Sequence, residues 1–133
     1  DARTWHTENL LDAVLLDAPC TGTGVLRRRP DIRWRRQPKD LKELTTLQGE
    51  LLAHAATLLK PGGRIVYSTC SLEPEENEEQ IKSFLLSHPQ FKVSIPEDFA
   101  THFYHQRLPE GILLLPHNDN ADGFFMSKLV KIR

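Results

Sequence analysis

Several features that would define a protein class at once are missing from this 133-residue sequence. No apolar run approaches the roughly 18 residues that a membrane-spanning helix needs, which argues against a membrane protein. There are only two cysteines, Cys20 and Cys70, and no secretory signal, so a structural disulfide is not expected. No cysteine or histidine spacing matches a zinc pattern, and we expect no metal site. These absences predict a cytoplasmic protein.

An excess of charge of one sign is also lacking, because the formal net charge is −1. The distribution is more informative. From Arg27 to Lys39 seven side chains are basic and only Asp31 is acidic. A nearly neutral protein that gathers positive charge on one segment is typical of a polyanion-binding surface. The alternative is a solvated loop in which Ile32 and Trp34 pack inward.

Apolar patterning predicts two strands separated by a helix. The segments 12–18 (DAVLLDA) and 64–70 (RIVYSTC) are short, nearly continuous apolar runs, as in strands buried on both faces of a parallel sheet. Between them apolar residues recur at helical spacing, which predicts an amphipathic helix over 41–60 that Pro61 ends. These apolar positions are Leu44, Leu47, Leu51, Ala55 and Leu58.

An acidic run follows the second predicted strand. Five of the residues over 73–79 are glutamates and none is basic. A helix that begins near Pro74 and ends before Pro89 would place these glutamates in its first turns, where negative charge suits the helix dipole. A helix start with a solvated face is therefore preferred to a binding role for this run.

The end of the sequence predicts an antiparallel hairpin, formed by segments 112–116 and 124–132 across a 117–123 loop. The stretch 93–111 has little periodicity and predicts a loop. Strand, helix, strand, helix and a terminal hairpin together indicate an α/β fold. This order corresponds to the second half of a doubly wound, Rossmann-like sheet.

Residues 1–133 are therefore interpreted as the C-terminal half of one domain. The first half would carry the glycine-rich turn that holds a nucleotide-like cofactor. Gly22 and Gly24 follow a strand, but they lack the third glycine and lead into arginines. We also expect the 12–18 strand to expose an unpaired edge, through which the segment could self-associate.

Both cysteines follow the ends of predicted strands. Asp17 and Cys20 come at the end of the first strand, and Cys70 comes at the end of the second. Since ligands of open α/β sheets bind outside the carboxyl ends of the strands, we expect these three side chains to surround one cleft. The alternative for each cysteine alone is a small buried apolar residue, as most free cysteines are.

The motifs around these residues resemble the paired signatures of the RNA cytosine-C5 methyltransferases, in particular the Sun/Fmu-type enzymes that act on small-subunit ribosomal RNA. The two signatures are DAPCTGTG over 17–24 and STCSLEPEENE over 68–78. Three connecting segments also resemble the family: GVLRRRPDIRWRR, KPGGRIVYSTC and DGFFMSKL. Several ordered motifs at matching spacing form a more specific signal than any one of them.

The resemblance implies a Rossmann-like enzyme that transfers a methyl group from S-adenosylmethionine to C5 of a cytosine in RNA. It makes Cys70 the nucleophile that adds to C6 of the base and assigns Cys20 to product release. Asp17 and Pro19 would lie at the cofactor, with Asp17 also near the base. An unstacked base of ribosomal RNA is the expected substrate, and nearby arginines would contact phosphates. These arginines are Arg28, Arg29, Arg33, Arg35 and Arg36.

Other interpretations stay open. DNA cytosine methyltransferases attack with the thiol of the Pro-Cys motif, which would make Cys20 the nucleophile, although Thr69-Cys70 favours the RNA assignment. A non-catalytic RNA-binding domain derived from a methyltransferase would also explain the basic segment. A redox-active thiol protein is disfavoured because the cysteines lie far apart in sequence.

Since the cofactor-binding first half is missing from the sequence, we expect the segment alone to bind S-adenosylmethionine weakly and to be inactive.

Overall fold

The computed structural model describes residues 1–98 and 105–133, and six strands in this part of the chain form one mixed sheet. The strands are β1 (Leu11–Asp17), β2 (Leu59–Thr69), β3 (Phe91–Val93), β4 (Gln106–Leu108), β5 (Gly111–Leu114) and β6 (Phe124–Lys131). The sheet order is β1-β2-β6-β5-β4, and β3 also pairs with β6. The helices are α1 (Ile32–Arg35), α2 (Pro38–Thr57), α3 (Glu78–Ser87) and α4 (Pro116–Asp119).

Strands β1 and β2 are parallel neighbours, as predicted, but the expectation that β1 is buried on both faces is wrong, because each of its residues is exposed or half-buried. Asp17 pairs with Ser68, so the two carboxyl ends lie side by side. Strand β2 begins earlier than predicted, at Leu59, and it contains Pro61. The register shifts between Leu11 and Ala13, because the extra residues around the Pro-Gly-Gly sequence bulge out of the ladder.

Helix α2 makes the crossover between these two strands. It begins at Pro38, which suits the first helical position, and Asp40 Oδ2 accepts a hydrogen bond from Gln37 N at 2.8 Å. It ends at Thr57, so both ends lie about three residues before those predicted. One face is buried, and it includes the predicted Leu51 and Ala55 together with the polar Gln48.

The C-terminal hairpin of β5 and β6 is antiparallel, as predicted, and β6 also pairs antiparallel with β2. The predicted loop over 93–111 is wrong in part, because β3 ends at Val93 and β4 lies within it; residues 99–104 lie outside the described residues. Both strands are too short to show apolar alternation in the sequence. They are defined by backbone pairing, β3 with β6 and β4 with β5. The predicted 117–123 loop contains most of the single-turn helix α4.

The core lies between the sheet and helices α2 and α3. Leu52 of α2, Tyr67 of β2, Ile81 of α3 and Phe125 of β6 are completely buried in one apolar cluster. Burial of this kind contributes roughly 1.5–3 kcal/mol for each large side chain. It holds β2 in the middle of the sheet and fixes the position of the loop that follows it.

Strand β1 lies at the edge of the described sheet. Leu15 on this strand is 73% exposed, and an apolar groove of about 460 Å³ runs along β1 and α2. Self-association through this edge stays a prediction. No helix in the described part of the chain is both long enough and apolar enough to cross a bilayer.

Candidate active site

The two cysteines meet at the carboxyl ends of β1 and β2. Their Sγ atoms lie 3.4 Å apart, and both side chains are half-buried. Backbone hydrogen bonds from Ala18 N to the Ser68 oxygen (2.9 Å) and from Gly24 N to the Cys70 oxygen (2.9 Å) connect the two loops. The parallel register therefore brings together two thiols that are distant in sequence. Their separation along the sequence, which was used to disfavour a redox-active thiol protein, is no argument against such a role.

The contact makes the two thiols chemically different. The hydrogen bond from the Cys20 thiol lowers the pKa of Cys70 from 9.0 to about 7. Burial and the negative charges of Asp17 and Glu76 act in the opposite direction without cancelling this effect. The same hydrogen bond, together with burial, raises the pKa of Cys20 well above its ordinary value. Near neutral pH Cys70 is thus the more available thiolate, and Cys20 keeps its proton.

Asp17 and Pro19 lie on the β1 side of the thiol pair. The Asp17 side chain is exposed, and Ser68 Oγ donates a hydrogen bond to its Oδ1 at 3.1 Å. Its other oxygen makes no hydrogen bond with the described residues, so it can accept one from a ligand. The carbonyl oxygen of Pro19 is occupied, because Gln48 Nε2 donates to it at 2.8 Å.

A cleft of about 380 Å³ opens over the thiols. Its wall contains Cys20, Cys70, Ile32 and three arginines, Arg29, Arg35 and Arg36. Such a volume admits a small planar ring, and the arginines place positive charge around it. Among the described residues, no group of three or more metal-ligating side chains occurs.

The arginines of the basic segment are held in different ways. Arg36 donates to the carbonyl oxygens of Thr21 (2.9 Å) and Cys20 (3.3 Å), so it supports the Cys20 loop. Arg29 and Arg35 both lie 3.5 Å from Asp31 carboxylate oxygens. These two guanidinium groups stay largely exposed at the cleft, where an anion can compete for them.

The remaining basic residues lie outside the cleft wall. Arg28 forms an ion pair of 2.5 Å with Asp122, on the loop before β6. Arg33 is exposed. Trp34 is 84% exposed, so the alternative in which this residue packs inward is wrong. The segment therefore presents an aromatic ring and several cations to solvent.

The acidic run contains a functional candidate that the sequence did not reveal. Glu76 is completely buried, so a purely solvated face is the wrong explanation for this residue. It belongs to a 3₁₀ turn, Pro74–Glu76, that precedes α3. It accepts hydrogen bonds from Thr21, Ser71 and Gln48.

Gln48 also belongs to the site and was not predicted, but the sequence contains a signal that could have indicated it. It lies four residues after Leu44 and three before Leu51, so helical spacing places it on the apolar face of α2. A polar side chain at such a position needs a buried partner. The structure supplies Pro19 and Glu76 as that partner pair.

The model of the family described as 16S rRNA methyltransferase RsmB/F matches residues 1–130. The chain belongs to this family. The RsmB/F family comprises methyltransferases that depend on S-adenosylmethionine, and the fold of the chain matches solved domains of such enzymes. Family membership confirms the resemblance that the motifs indicated.

Relatives in the RsmB/F family match most of this chain with a small part of their own length. Ribosomal RNA small subunit methyltransferase B of Yersinia pseudotuberculosis is 43% identical over 128 residues, which cover 96% of this chain and 28% of that protein. The chain therefore spans less than a third of the length of this curated relative.

Several solved structures share the fold with this RsmB/F chain. NSun6 from Pyrococcus horikoshii with SFG has a TM-score of 0.83 and 31% identity, covering 100% of this chain and 33% of that one. A methyltransferase homolog protein from the same organism has a TM-score of 0.73 and 33% identity, covering 92% of this chain and 40% of that one.

Proposed function

We propose that residues 1–133 are the C-terminal half of a catalytic domain that methylates C5 of a cytosine in RNA. The observation that carries the proposal is an acidified Cys70 thiol, 3.4 Å from Cys20, in a cleft bordered by arginines. Small-subunit ribosomal RNA is the substrate that the RsmB/F family name suggests. Methylation of ribosomal RNA would take place in the cytoplasm.

The chemistry begins with Cys70. C5 of cytosine is a weak nucleophile until a group adds to C6. The Cys70 thiolate forms a bond to C6, the C5–C6 double bond opens, and its electron pair becomes available at C5. A thiol pKa of about 7 supplies the thiolate near neutral pH while retaining nucleophilicity. When bound, S-adenosylmethionine supplies the electrophilic methyl group.

Product release requires the loss of the C5 proton and of the Cys70 sulfur. The pKa of Cys20 is raised first by its hydrogen bond to Cys70, and this bond is weakened once Cys70 sulfur is bonded to C6. The pKa of Cys20 then falls toward its ordinary value, so Cys20 can lose its own proton to solvent. The resulting thiolate can take the C5 proton. The C5–H electron pair re-forms the double bond, and the Cys70 thiolate leaves.

The residues at the end of β1 fit the cofactor that the family implies. Asp17 keeps a carboxylate oxygen facing the solvent beside the thiols. Such an oxygen can accept a hydrogen bond from the ammonium group of S-adenosylmethionine or from the amino group of the base. Pro19 is exposed at the same loop, and its contribution would come from its ring, since Gln48 occupies its carbonyl.

The arginines would bind the RNA. Arg29 and Arg35 lie at the cleft, and Arg28 and Arg33 extend the positive surface beyond it. Since Arg36 supports the Cys20 loop, we assign it a structural role besides any phosphate contact. A base must leave its stack before Cys70 can reach C6, so the expected substrate is an unpaired or splayed cytosine.

Covalent trapping tests the role of each cysteine. RNA with 5-fluorocytosine at the target position has no C5 proton to lose, so a methylated adduct with the complete protein should accumulate. We expect Cys70→Ser to abolish the adduct and Cys20→Ser to retain it, with the products separated by denaturing electrophoresis.

The reverse result would identify Cys20 as the nucleophile, as in the DNA enzymes. RNA binding without any adduct or methyl transfer would favour the non-catalytic RNA-binding domain. A reversible Cys20–Cys70 disulfide that controls activity, without an adduct, would favour redox chemistry.

A further inference from the structure

Four hydrogen bonds converge on the buried Glu76 carboxylate. Oε1 accepts from Thr21 N at 2.8 Å and from Gln48 Nε2 at 3.1 Å. Oε2 accepts from Thr21 Oγ1 at 2.6 Å and from Ser71 Oγ. Thr21 directly follows Cys20, and Ser71 directly follows Cys70. One side chain therefore connects the neighbours of both thiols.

The bonding around Glu76 extends into the scaffold. Gln48 also donates to the carbonyl of Pro19, which lies just before Cys20. The Tyr67 hydroxyl donates to the Glu76 backbone oxygen at 2.7 Å. Asn77, also completely buried, donates from Nδ2 to the Ser71 carbonyl at 2.8 Å. Both cysteine loops are thus tied to α2 and β2 through one buried centre.

The charge of Glu76 is unusual for such a position. None of the ion pairs among the described residues includes this carboxylate. A buried charge is costly, and an apolar side chain of similar size would often give equal or greater stability. Four donors arranged around one carboxylate are better explained by geometric specificity than by stability.

We propose that Glu76 is a positioning residue whose carboxylate sets the separation and alignment of the Cys20 and Cys70 thiols by holding Thr21 and Ser71. The effect of this positioning on methyl transfer rests on the function proposed above. The alignment itself can be measured without any methyl transfer, so the two proposals can fail separately.

The charge of Glu76 and its positioning of the thiols have opposite effects on the pKa of Cys70, and this makes the proposal testable. The negative charge of Glu76 raises the pKa of Cys70, whereas the Cys20 hydrogen bond lowers it. If Glu76 acted only by its charge, its removal would make Cys70 more acidic. If Glu76 positions the thiols, its removal weakens the Cys20 hydrogen bond and makes Cys70 less acidic.

The experiment compares Glu76→Met with Glu75→Met in the complete protein. Glu75 is the exposed neighbour of Glu76 and serves as the matched control. The alkylation rate of Cys70 by iodoacetamide is followed from pH 5 to pH 10, with the labelled peptide identified by mass spectrometry. For Glu76→Met we expect the midpoint of the alkylation profile to lie at a higher pH. The alkylation rate at pH 7 should fall, by at most about tenfold. For Glu75→Met we expect the wild-type profile.

An unchanged or lower midpoint in folded Glu76→Met protein would overturn the proposal. If circular dichroism shows that this variant does not fold, Thr21→Val decides, because it removes one donor at nearly constant shape. It should shift the midpoint in the same direction by a smaller amount, and a wild-type midpoint would overturn the proposal. Shifted profiles without an adduct on 5-fluorocytosine RNA would retain the positioning role and reject the proposed methyl transfer.

Discussion

At the residue scale, the site depends on a difference in pKa between two side chains of the same residue type. Cys70 accepts a hydrogen bond from Cys20 and has the lower pKa, while Cys20 retains its proton. Neither property belongs to cysteine as a residue type. Each arises from the other thiol, so a change at one position should be measurable at the other.

Replacement of Cys20 by alanine should make Cys70 less acidic. Without the donor, its pKa should rise from about 7 toward 9.0, which reduces the thiolate fraction at pH 7 by about fifty-fold. The rate of Cys70 alkylation at pH 7 should fall by a similar factor and recover near pH 9. Cys20→Ser, which retains a donor, should show a smaller change. An unaltered pH profile in Cys20→Ala would contradict this explanation of the acidity of Cys70.

Glu76 shows what residue type alone does not reveal. Its neighbours Glu75 and Glu79 are exposed, as expected for a helix start with a solvated face. Glu76 differs because it accepts hydrogen bonds from Thr21, which follows β1, and from Gln48 on α2. The sequence presents these glutamates as equivalent, and only the packing of α2 and β1 distinguishes among them.

At the element scale, the loop after β1 and the loop before β6 are in direct backbone contact. Gly24 donates to the Cys70 carbonyl at 2.9 Å, and Gly123 donates to the Gly24 carbonyl at 2.8 Å. A Cβ at Gly24 would lie 2.3 Å from the Gly123 oxygen and 2.7 Å from the Cys70 oxygen. Glycine is needed here because three backbone segments meet without space for a side chain.

Gly24→Ala should therefore destabilise the protein by about 1–3 kcal/mol, since backbone atoms must move to accept the methyl group. Gly49→Ala is the control, because an added Cβ in α2 meets only the Gln80 side chain at 3.5 Å. Alanine favours a helix over glycine by up to about 1 kcal/mol, so this variant should be neutral or more stable. Urea unfolding of both variants measures the difference, and equal stability would contradict the close contact at Gly24.

The elements differ in how well the sequence predicted them. Strands β1 and β2, helices α2 and α3 and the β5–β6 hairpin have apolar patterns that identify them. Strands β3 and β4 have only three residues each, too few for a periodicity to appear. They form because the edges of β6 and β5 offer hydrogen bonds, which is a property of their neighbours.

At the scale of the whole molecule, a nearly neutral protein carries seven of its 17 lysines and arginines in the Arg27–Lys39 segment. Asp31 partly balances Arg29 and Arg35 at the cleft, and Asp122 partly balances Arg28 beyond it. The two ion pairs with Asp31 are exposed and weak, so phosphates can displace this carboxylate. Affinity for RNA through this surface should accordingly depend strongly on salt.

A triple variant, Arg28→Gln, Arg29→Gln and Arg35→Gln, should weaken RNA binding by the complete protein and flatten its salt dependence. Each lost contact with a single-stranded phosphate should reduce the slope of log K against log salt by about 0.7. Arg64→Gln is the control, because Arg64 is exposed on β2 and does not line the cleft. Fluorescence anisotropy over a salt series measures the slopes. Wild-type affinity of the triple variant at low salt would exclude this surface as the RNA site.

The isolated 133-residue segment should bind S-adenosylmethionine weakly and show no turnover. It contributes Asp17 and Pro19 at one side of the proposed cofactor site, but its sequence contains no glycine-rich turn for the nucleotide part. Titration calorimetry with the segment, and with the complete protein as the positive control, measures the difference. Tight binding to the segment would show that residues 1–133 suffice for the cofactor.

The sequence by itself determined the element types, the α/β class and the chemical groups at the strand ends, because burial repeats with the period of each element and turn residues mark where it stops. Only the tertiary structure decided the 3.4 Å thiol separation, the acidity of Cys70 and the burial of Glu76. These depend on strand register and on the packing of α2 against the sheet. Such relations join residues distant along the chain, and local periodicity carries no information about distances between them.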